Sequence, residues 1–207
     1  MSDEAHFHLN GNVNKQNFRY WAAENPQTLH QKSLHSEKVT VWCAVSAFGV
    51  LGPYFFENAT GQSVTVTSDR YVELLREFLN DELRRQRVDT RLVWFQQDGA
   101  TAHTARNSMA VVRGMFPEHV ISPFGDDEWP PRSPDLSACD IFMWGYLKEK
   151  VCAHRPHTVQ QLKDYIREEI QEIPVNMLRK VMENVRKRAE MCVKYNGAHL
   201  SDIILKK

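Results

Sequence analysis

The chain has 207 residues, of which 26 are basic and 26 acidic, so its formal net charge is zero and gives no argument for nucleic-acid binding. The composition, 42% apolar and 25% charged, is that of an ordinary globular protein large enough to bury a core. No stretch approaches the ~20 apolar residues of a membrane span, and the first residues do not resemble a signal peptide. We therefore expect an intracellular protein without a membrane partner, whose scattered cysteines are free thiols.

The first third of the chain reads as strands. Alternating side chains over residues 1–9 predict a strand with one buried face. Residues 14–38 are polar and are expected to form a long loop or a loose hairpin. β-Forming residues predict a hairpin made by residues 39–45 and 51–56, in which Pro53 marks a strand start, an edge or a bulge.

The middle of the chain places an acid at the tip of a strand. Helical spacing predicts an amphipathic helix that begins near Ser68 and ends near Leu83. The run from Leu92 to Gln97 predicts a buried central strand, and Asp98 follows it directly. Since ligands bind at strand ends in open α/β sheets, this acid is a candidate for chemistry.

The second half of the chain reads mainly as helices. Thr158 with Gln161 forms a capping box, and Asn196-Gly197 is a helix-ending signal. The order of elements predicts a mixed α/β sheet flanked by helices. The remaining predicted elements are a helix over 104–115, a short strand at 120–121, a loop over 123–135, a helix from about 137 to 151, and helices that start at 158 and 174.

Three acids from distant parts of the chain could meet at one edge of that sheet: Asp3, Asp98 and Asp140. Such a cluster repels itself and raises the pKa of its members unless divalent cations fill it. Mg²⁺ prefers oxygen ligands, and two such ions ~3.5–4 Å apart are the usual device for phosphodiester displacement. Spacing alone leaves the alternative open, because most aspartates are solvated surface residues.

Four blocks of sequence resemble the catalytic domain of mariner-type transposases. Together they run through essentially the whole chain in the family's order, although each alone is weak. The blocks are Ser2-Asp3-Glu4-Ala5-His6-Phe7, similar to SDExxF; Val41-Trp42 through Gly52, similar to the VWG hairpin; Gln97-Asp98-Gly99-Ala100-Thr101-Ala102-His103, similar to QDxAxxH; and Pro131-Arg132-Ser133-Pro134-Asp135-Leu136-Ser137-Ala138-Cys139-Asp140, similar to P-x-SPDLxPxD/E.

The resemblance implies a ribonuclease-H-like fold, shared with retroviral integrases, and a catalytic, metal-binding triad of Asp3, Asp98 and Asp140. Asp140 is the third acid rather than Asp135, because the family's third acid closes its block. The spacing of 41 residues between the last two acids is longer than is common in the family, and Ala138 stands where proline is usual. Neither departure removes a carboxylate.

The function that the resemblance implies is DNA transposition by two-metal phosphoryl transfer with Mg²⁺ or Mn²⁺. The enzyme would cleave DNA at element ends and join 3′ ends to target DNA, in the nucleus and as a homodimer. Residues 1–152 would form the catalytic core and residues 153–207 C-terminal helices packed on it. The residues around 14–38 correspond roughly to a region that the family uses for contacts between subunits.

Several further residues are candidates for supporting roles. The resemblance places His103 near the site, where it would orient a carboxylate or phosphate; the alternative is a helix-start histidine packed on its neighbours. Glu4 alternates away from Asp3 and is not expected to be a ligand. Tryptophans 21, 94 and 144 are expected in the core rather than as platforms for DNA bases. Two basic clusters could contact DNA or be solvated helix faces: Arg84, Arg85 and Arg87, and Arg186, Lys187 and Arg188.

Family members also carry paired helix-turn-helix modules before the catalytic domain, and nothing before Asp3 could supply them here. We therefore expect a catalytic domain alone, with a clipped first strand and a poorly held Asp3. Two other functions stay open. One is an inactive or domesticated remnant that binds DNA or protein, and the other is a structure-selective nuclease of the same fold, such as one that cuts RNA–DNA hybrids.

Overall fold

A computed structural model describes residues 1–11 and 37–197 of the chain. The predicted loop at 14–38 therefore lies outside the described residues except for its last two positions, and so does Trp21. Across these two described ranges, the model contains no helix that is both long and apolar enough to cross a membrane.

The strands form a three-stranded antiparallel sheet and a two-stranded parallel sheet. Strand β1 pairs with β2 along its whole length, with Asp3 opposite Cys43, and β2 pairs with β3 through a register irregularity between Trp42 and Ala44. The Ser2 hydroxyl donates to the Gln96 carbonyl at 2.9 Å, which brings the start of β1 beside β4. The strands are β1 (Ser2–His8), β2 (Lys38–Val45), β3 (Val50–Phe55), and the parallel pair β4 (Phe95–Gln96) and β5 (Val120–Ile121).

The predicted strand before Asp98 is shorter than expected. Only its last part forms β4, while Leu92 is 79% exposed and Trp94 46% exposed. The backbone N–H groups of Arg91 and Leu92 both bond to Asp89, one to its side chain and one to its carbonyl, at 3.0 Å each. Because those groups close a turn, they cannot join a ladder of strand hydrogen bonds, and the expectation that Trp94 is buried is wrong.

The helices follow the predicted positions with local breaks. The helix after Ser68 contains a π-helical segment, and the one after Asp98 breaks at Ala105, whose ψ of 145° is extended. The elements are α1 (Ser68–Glu73), a π-helical segment (Leu74–Leu79), α2 (Asn80–Arg85), α3 (Thr101–Thr104), α4 (Arg106–Met115), a 3₁₀ turn (Pro134–Leu136), a π-helical segment (Cys139–Met143), α5 (Trp144–Ala153), α6 (Val159–Gln171) and α7 (Val175–Lys194).

The predicted caps of the last helices are present. The Thr158 hydroxyl accepts from the Gln161 N–H at 3.1 Å, and the Gln161 side chain accepts from the His157 N–H at 2.9 Å. Gly197 takes a φ of +79° after α7, a conformation that favours glycine. Local sequence therefore fixes where α6 begins and where α7 ends.

Strand β2 is buried on both faces and separates two hydrophobic clusters. Val41 and Cys43 face a cluster that includes residues of α5, α6 and α7. Trp42 and Ala44 face the other cluster, with residues of the α1–α2 helix, α4, β4 and β5. The sheet thus lies between two helical layers, which confirms the predicted mixed α/β sheet flanked by helices. Helices α6 and α7 pack in the same cluster as β1 and β2. The boundary between a core and C-terminal helices at residue 152 stays a prediction.

Candidate active site

Asp3 lies within β1, in register opposite Cys43. Its carboxylate accepts a hydrogen bond from the indole Nε1 of Trp144, the first residue of α5, at 2.7 Å. The strand is also paired before this residue, since the Val45 N–H donates to the Met1 carbonyl at 2.7 Å. The expectation that Asp3 is poorly held is therefore wrong, because backbone pairing on both sides and one side-chain donor fix it.

Asp98 follows β4, at the point where the chain turns into α3. Its Oδ1 accepts from the Ala100 N–H at 2.9 Å and bonds to His103 Nδ1 at 2.6 Å. The Asp98 side chain is 50% exposed, whereas that of His103 is 1% exposed. Asp98 is therefore accessible to solvent while it is held by a buried histidine, as expected for an acid at the end of a strand.

Asp140 lies in the π-helical segment before α5 and closes the block that also contains Asp135. The three acids Asp3, Asp98 and Asp140 line one cleft of about 420 Å³, and residues 129–134 form another part of its wall. Asp135 does not line this cleft. Within the described residues, no three His, Cys, Asp or Glu side chains stand close enough to hold one metal ion as a group.

The three carboxyl groups differ in their electrostatics. Burial, reinforced by the charge of Asp140, raises the pKa of Asp3 to about 7, although the bond from Trp144 opposes the shift. Burial and the charge of Asp98 likewise raise the pKa of Asp140. The hydrogen bond from His103 lowers the pKa of Asp98. Oxygen donors whose charges repel one another are the ligands that hard divalent cations prefer, so the donor set fits Mg²⁺ or Mn²⁺.

His103 bridges two carboxylates rather than one. Its Nε2 lies 3.0 Å from Oε1 of Glu4 and its Nδ1 contacts Asp98. Burial lowers the pKa of His103, but the bonds to Asp98 and Glu4 outweigh this effect and raise the pKa to about 10. A protonated His103 would donate to both carboxylates from a buried position. Its supporting role in an active site stays a prediction.

Glu4 is the supporting residue that the sequence did not identify. Alternation along β1 places it on the opposite side of the strand from Asp3, as predicted. The fold brings α3 to that side, so Glu4 meets His103 from 99 positions away. In the sequence, Glu4 is visible only as an acid next to the candidate ligand Asp3. That position does not reveal which helix packs against Glu4.

A buried polar network supports the histidine. The Tyr71 hydroxyl donates to the Gln97 side-chain oxygen at 2.8 Å, and the Gln97 amide donates to the His103 carbonyl at 3.1 Å. The rings of Tyr71 and His103 lie 4.3 Å apart. Gln97 is fully buried, so the glutamine of the QDxAxxH block serves to lock the turn that follows β4.

The candidate DNA-contacting residues lie at two separate places. Arg85 pairs with Glu82 at 2.6 Å, and Arg186 pairs with Glu190 at 2.9 Å. Arg188 donates through Nε to the Asp135 carbonyl at 2.5 Å, and so ties α7 to the turn that precedes Asp140. Arg84, Arg87 and Lys187 are exposed. DNA contact by these two clusters stays a prediction.

The comparisons with known proteins identify one type of fold. No family profile and no curated protein matches the sequence. Among solved structures, the Mos1 mariner paired-end complex with Mn is similar with a TM-score of 0.71 and 20% identity over 96% of this chain. The Mos1 strand transfer complex gives 0.67 and 21% over 96%. The isolated catalytic domain of Mos1 transposase gives 0.66 and 21% over 79% of this chain and 76% of that one.

The chain spans 55% of the length of the Mos1 protein in the paired-end complex. The match to the isolated catalytic domain covers most of both chains, so the shared fold is that of this domain. The resemblance predicted from the four sequence blocks is thereby confirmed at the level of structure: this chain has the ribonuclease-H-like fold of the mariner transposase catalytic domain.

Proposed function

We propose that the chain is the catalytic domain of a mariner-type DNA transposase, which cleaves DNA phosphodiesters at element ends and joins 3′ ends to target DNA. One observation carries the proposal. Asp3, Asp98 and Asp140 come from three different sequence blocks of the family, and they line one cleft. The fold of the Mos1 catalytic domain supports the same function.

Asp3, Asp98 and Asp140 would hold two Mg²⁺ or Mn²⁺ ions. When bound, such ions activate a water or a DNA 3′-hydroxyl and stabilise the leaving oxygen. Mos1 structures with Mg and with Mn support this choice of metal.

Neighbouring side chains position the acids and set their protonation states. His103 donates to Asp98 and keeps it ionised, so this carboxylate is available across the neutral range. Trp144 Nε1 fixes the carboxylate of Asp3, which would release a proton as a cation binds beside it. The wall formed by residues 129–134 would limit access to the cleft. Positioning of this kind is the main contribution of a protein to phosphoryl transfer.

The partners follow from the substrate. DNA would supply both the element end and the target, and a homodimer would hold two element ends, in keeping with the paired-end complexes of Mos1. A protein with these substrates would act in the nucleus.

Nicking of supercoiled plasmid DNA with Mn²⁺ or Mg²⁺ tests the proposal. Asp98→Asn should reduce nicking by more than the roughly 10–100-fold that loss of an outer-shell partner costs. Asp135→Asn is the matched control, because it makes the same change at an aspartate that does not line the cleft. This variant should retain activity.

Other outcomes would point elsewhere. Nicking by Asp98→Asn at the parent's rate would rule out this active site. Salt-sensitive DNA binding without nicking, unchanged by the substitution, would identify a DNA-binding remnant. Preferential cleavage of RNA–DNA hybrids over duplex DNA would identify a structure-selective nuclease.

A further inference from the structure

A second cleft, of about 240 Å³, lies at the far end of β1 from Asp3. Its lining within the described residues includes no aspartate or glutamate. Five basic side chains line it instead, from three parts of the chain: His6, His8, Lys148, Arg155 and His157. We call this the basic pocket.

Lys148 and Arg155 supply the positive charge of the basic pocket, because burial and the nearby lysines disfavour the charged forms of His6 and His8. Burial lowers the pKa of His6 and of His8, and the positive charges of Lys38 and Lys148 lower both further. Lys148 itself lies over the ring of Phe7, with Nζ 5.8 Å from the ring centroid. Because positive side chains line this cleft and no acid among the described residues does, its electrostatic potential favours a bound anion.

The basic pocket adjoins the candidate active site through two elements. Phe7, which lines the basic pocket on the same side of β1 as Asp3, lies four residues beyond Asp3, which is roughly 13 Å along a strand. Lys148 lies two turns after Asp140, and its charge interacts with both Asp3 and Asp140. Lys148 therefore stands between the acidic cleft and the basic pocket.

We propose that the basic pocket binds backbone phosphates of the DNA strand whose reacting phosphodiester lies in the acidic cleft. The proposal rests on the proposed function. Arg and Lys side chains contact phosphates in this way to set the position and register of DNA on a protein. Since each strand of DNA carries one phosphate per 3.4 Å along the axis, the pocket would hold phosphates about three to five nucleotides from the reacting one.

The salt dependence of DNA binding tests the proposal without requiring cleavage. The probe is a fluorescein-labelled 20-base-pair duplex of arbitrary sequence, titrated with the full chain in EDTA at several salt concentrations. The double variant Lys148→Gln with Arg155→Gln should reduce the slope of log K against log salt by about 2, because each lost phosphate contact removes about 0.9. Arg179→Gln with Lys180→Gln, two exposed residues of α7, is the control and should leave the slope unchanged.

Three results would overturn the proposal. One is a slope change in the pocket variant no larger than that of the control. Another is a thermal shift with inorganic phosphate alone that the pocket variant abolishes while its DNA slope stays at the parent's value. If the double variant unfolds, Arg155→Glu replaces it, and an unchanged slope in that variant also rejects the pocket. Failure of the proposed function is recognised separately, as a parent protein that binds DNA through the pocket but does not nick it.

Discussion

Asp3 and Asp98 line the same cleft in opposite electrical environments. Asp3 is partly buried next to Asp140, and burial together with the charge of Asp140 raises its pKa to about 7 although the hydrogen bond from the Trp144 indole opposes the shift. Asp98 is half exposed and is held by a buried histidine whose pKa is raised to about 10. The Asp98 carboxylate is therefore charged throughout the neutral pH range, whereas Asp3 becomes fully charged only after it loses its proton. The contrast indicates that the protein itself keeps Asp98 charged, whereas the proposed cations would favour the charged form of Asp3.

Removal of the His103 side chain should have the largest effect on the difference between Asp98 and Asp3. His103→Ala leaves Asp98 and the partly buried Glu4 without their shared cation. Loss of one partner of a buried ion pair typically costs about 3–5 kcal/mol, and we expect a destabilisation of that order in urea unfolding. His119→Ala is the control, since the His119 side chain bonds to the Pro117 carbonyl and contacts Trp94, but no carboxylate pair among the described residues depends on it.

The Glu4→Gln variant separates the two carboxylates. If it is as unstable as His103→Ala, the bond to Glu4 rather than that to Asp98 dominates. If His103→Ala unfolds at the same urea concentration as the control variant, the bridge does not anchor Asp98.

The pH dependence of stability sharpens the comparison. An acid whose pKa is raised by folding binds its proton more tightly in the folded state, so its stabilisation is present at low pH and is lost as pH rises from about 4 to about 7. For Asp3 the loss is at most about 4 kcal/mol. The histidine gives a different window, because its stabilisation is present below pH 6.5 and is lost as pH rises through about 10.

Urea unfolding of the metal-free protein from pH 4 to pH 10 measures both windows. Asp3→Asn should reduce the decline below pH 7, to which the raised pKa of Asp140 also contributes, and should make the protein more stable than the parent at pH 8. Asp98→Asn should instead destabilise at pH 8, because it removes an anion from a buried imidazolium. The same sign of change in both variants would show that the two acids do not differ in the way described.

These environments could be predicted only in part from sequence. Periodicity placed Asp3 on a strand and Asp98 after one, because both follow from local patterns of side chains. The contacts that separate them are not local: Trp144 meets Asp3 across 141 positions and Glu4 meets His103 across 99. Trp144 was expected only to fill the core, and although it is 6% exposed, its indole N–H also positions a carboxylate.

The strand before Asp98 shows why the local prediction fails where it does. Leu92 and Trp94 are apolar, and a run of such residues predicts a buried strand. The Asp89 side chain and carbonyl capture the next backbone N–H groups, so a turn competes with the strand and Leu92 remains in solvent. A hydrophobic pattern contains no information about that competition.

The third acid offers the smallest test. Asp140 has neither an indole nor a histidine, and its position depends on the preceding turn, which Arg188 ties to α7 through the Asp135 carbonyl. Arg188→Gln should destabilise the fold by about 0.5–1.5 kcal/mol, the net worth of one such hydrogen bond. It should also weaken Mn²⁺-dependent nicking without changing the salt slope of DNA binding, because its guanidinium holds the turn instead of a phosphate. A slope reduced by about 0.9 with unchanged stability would instead support the prediction that Arg188 contacts DNA. Arg179→Gln, which removes an exposed charge from the same helix, is the matched control.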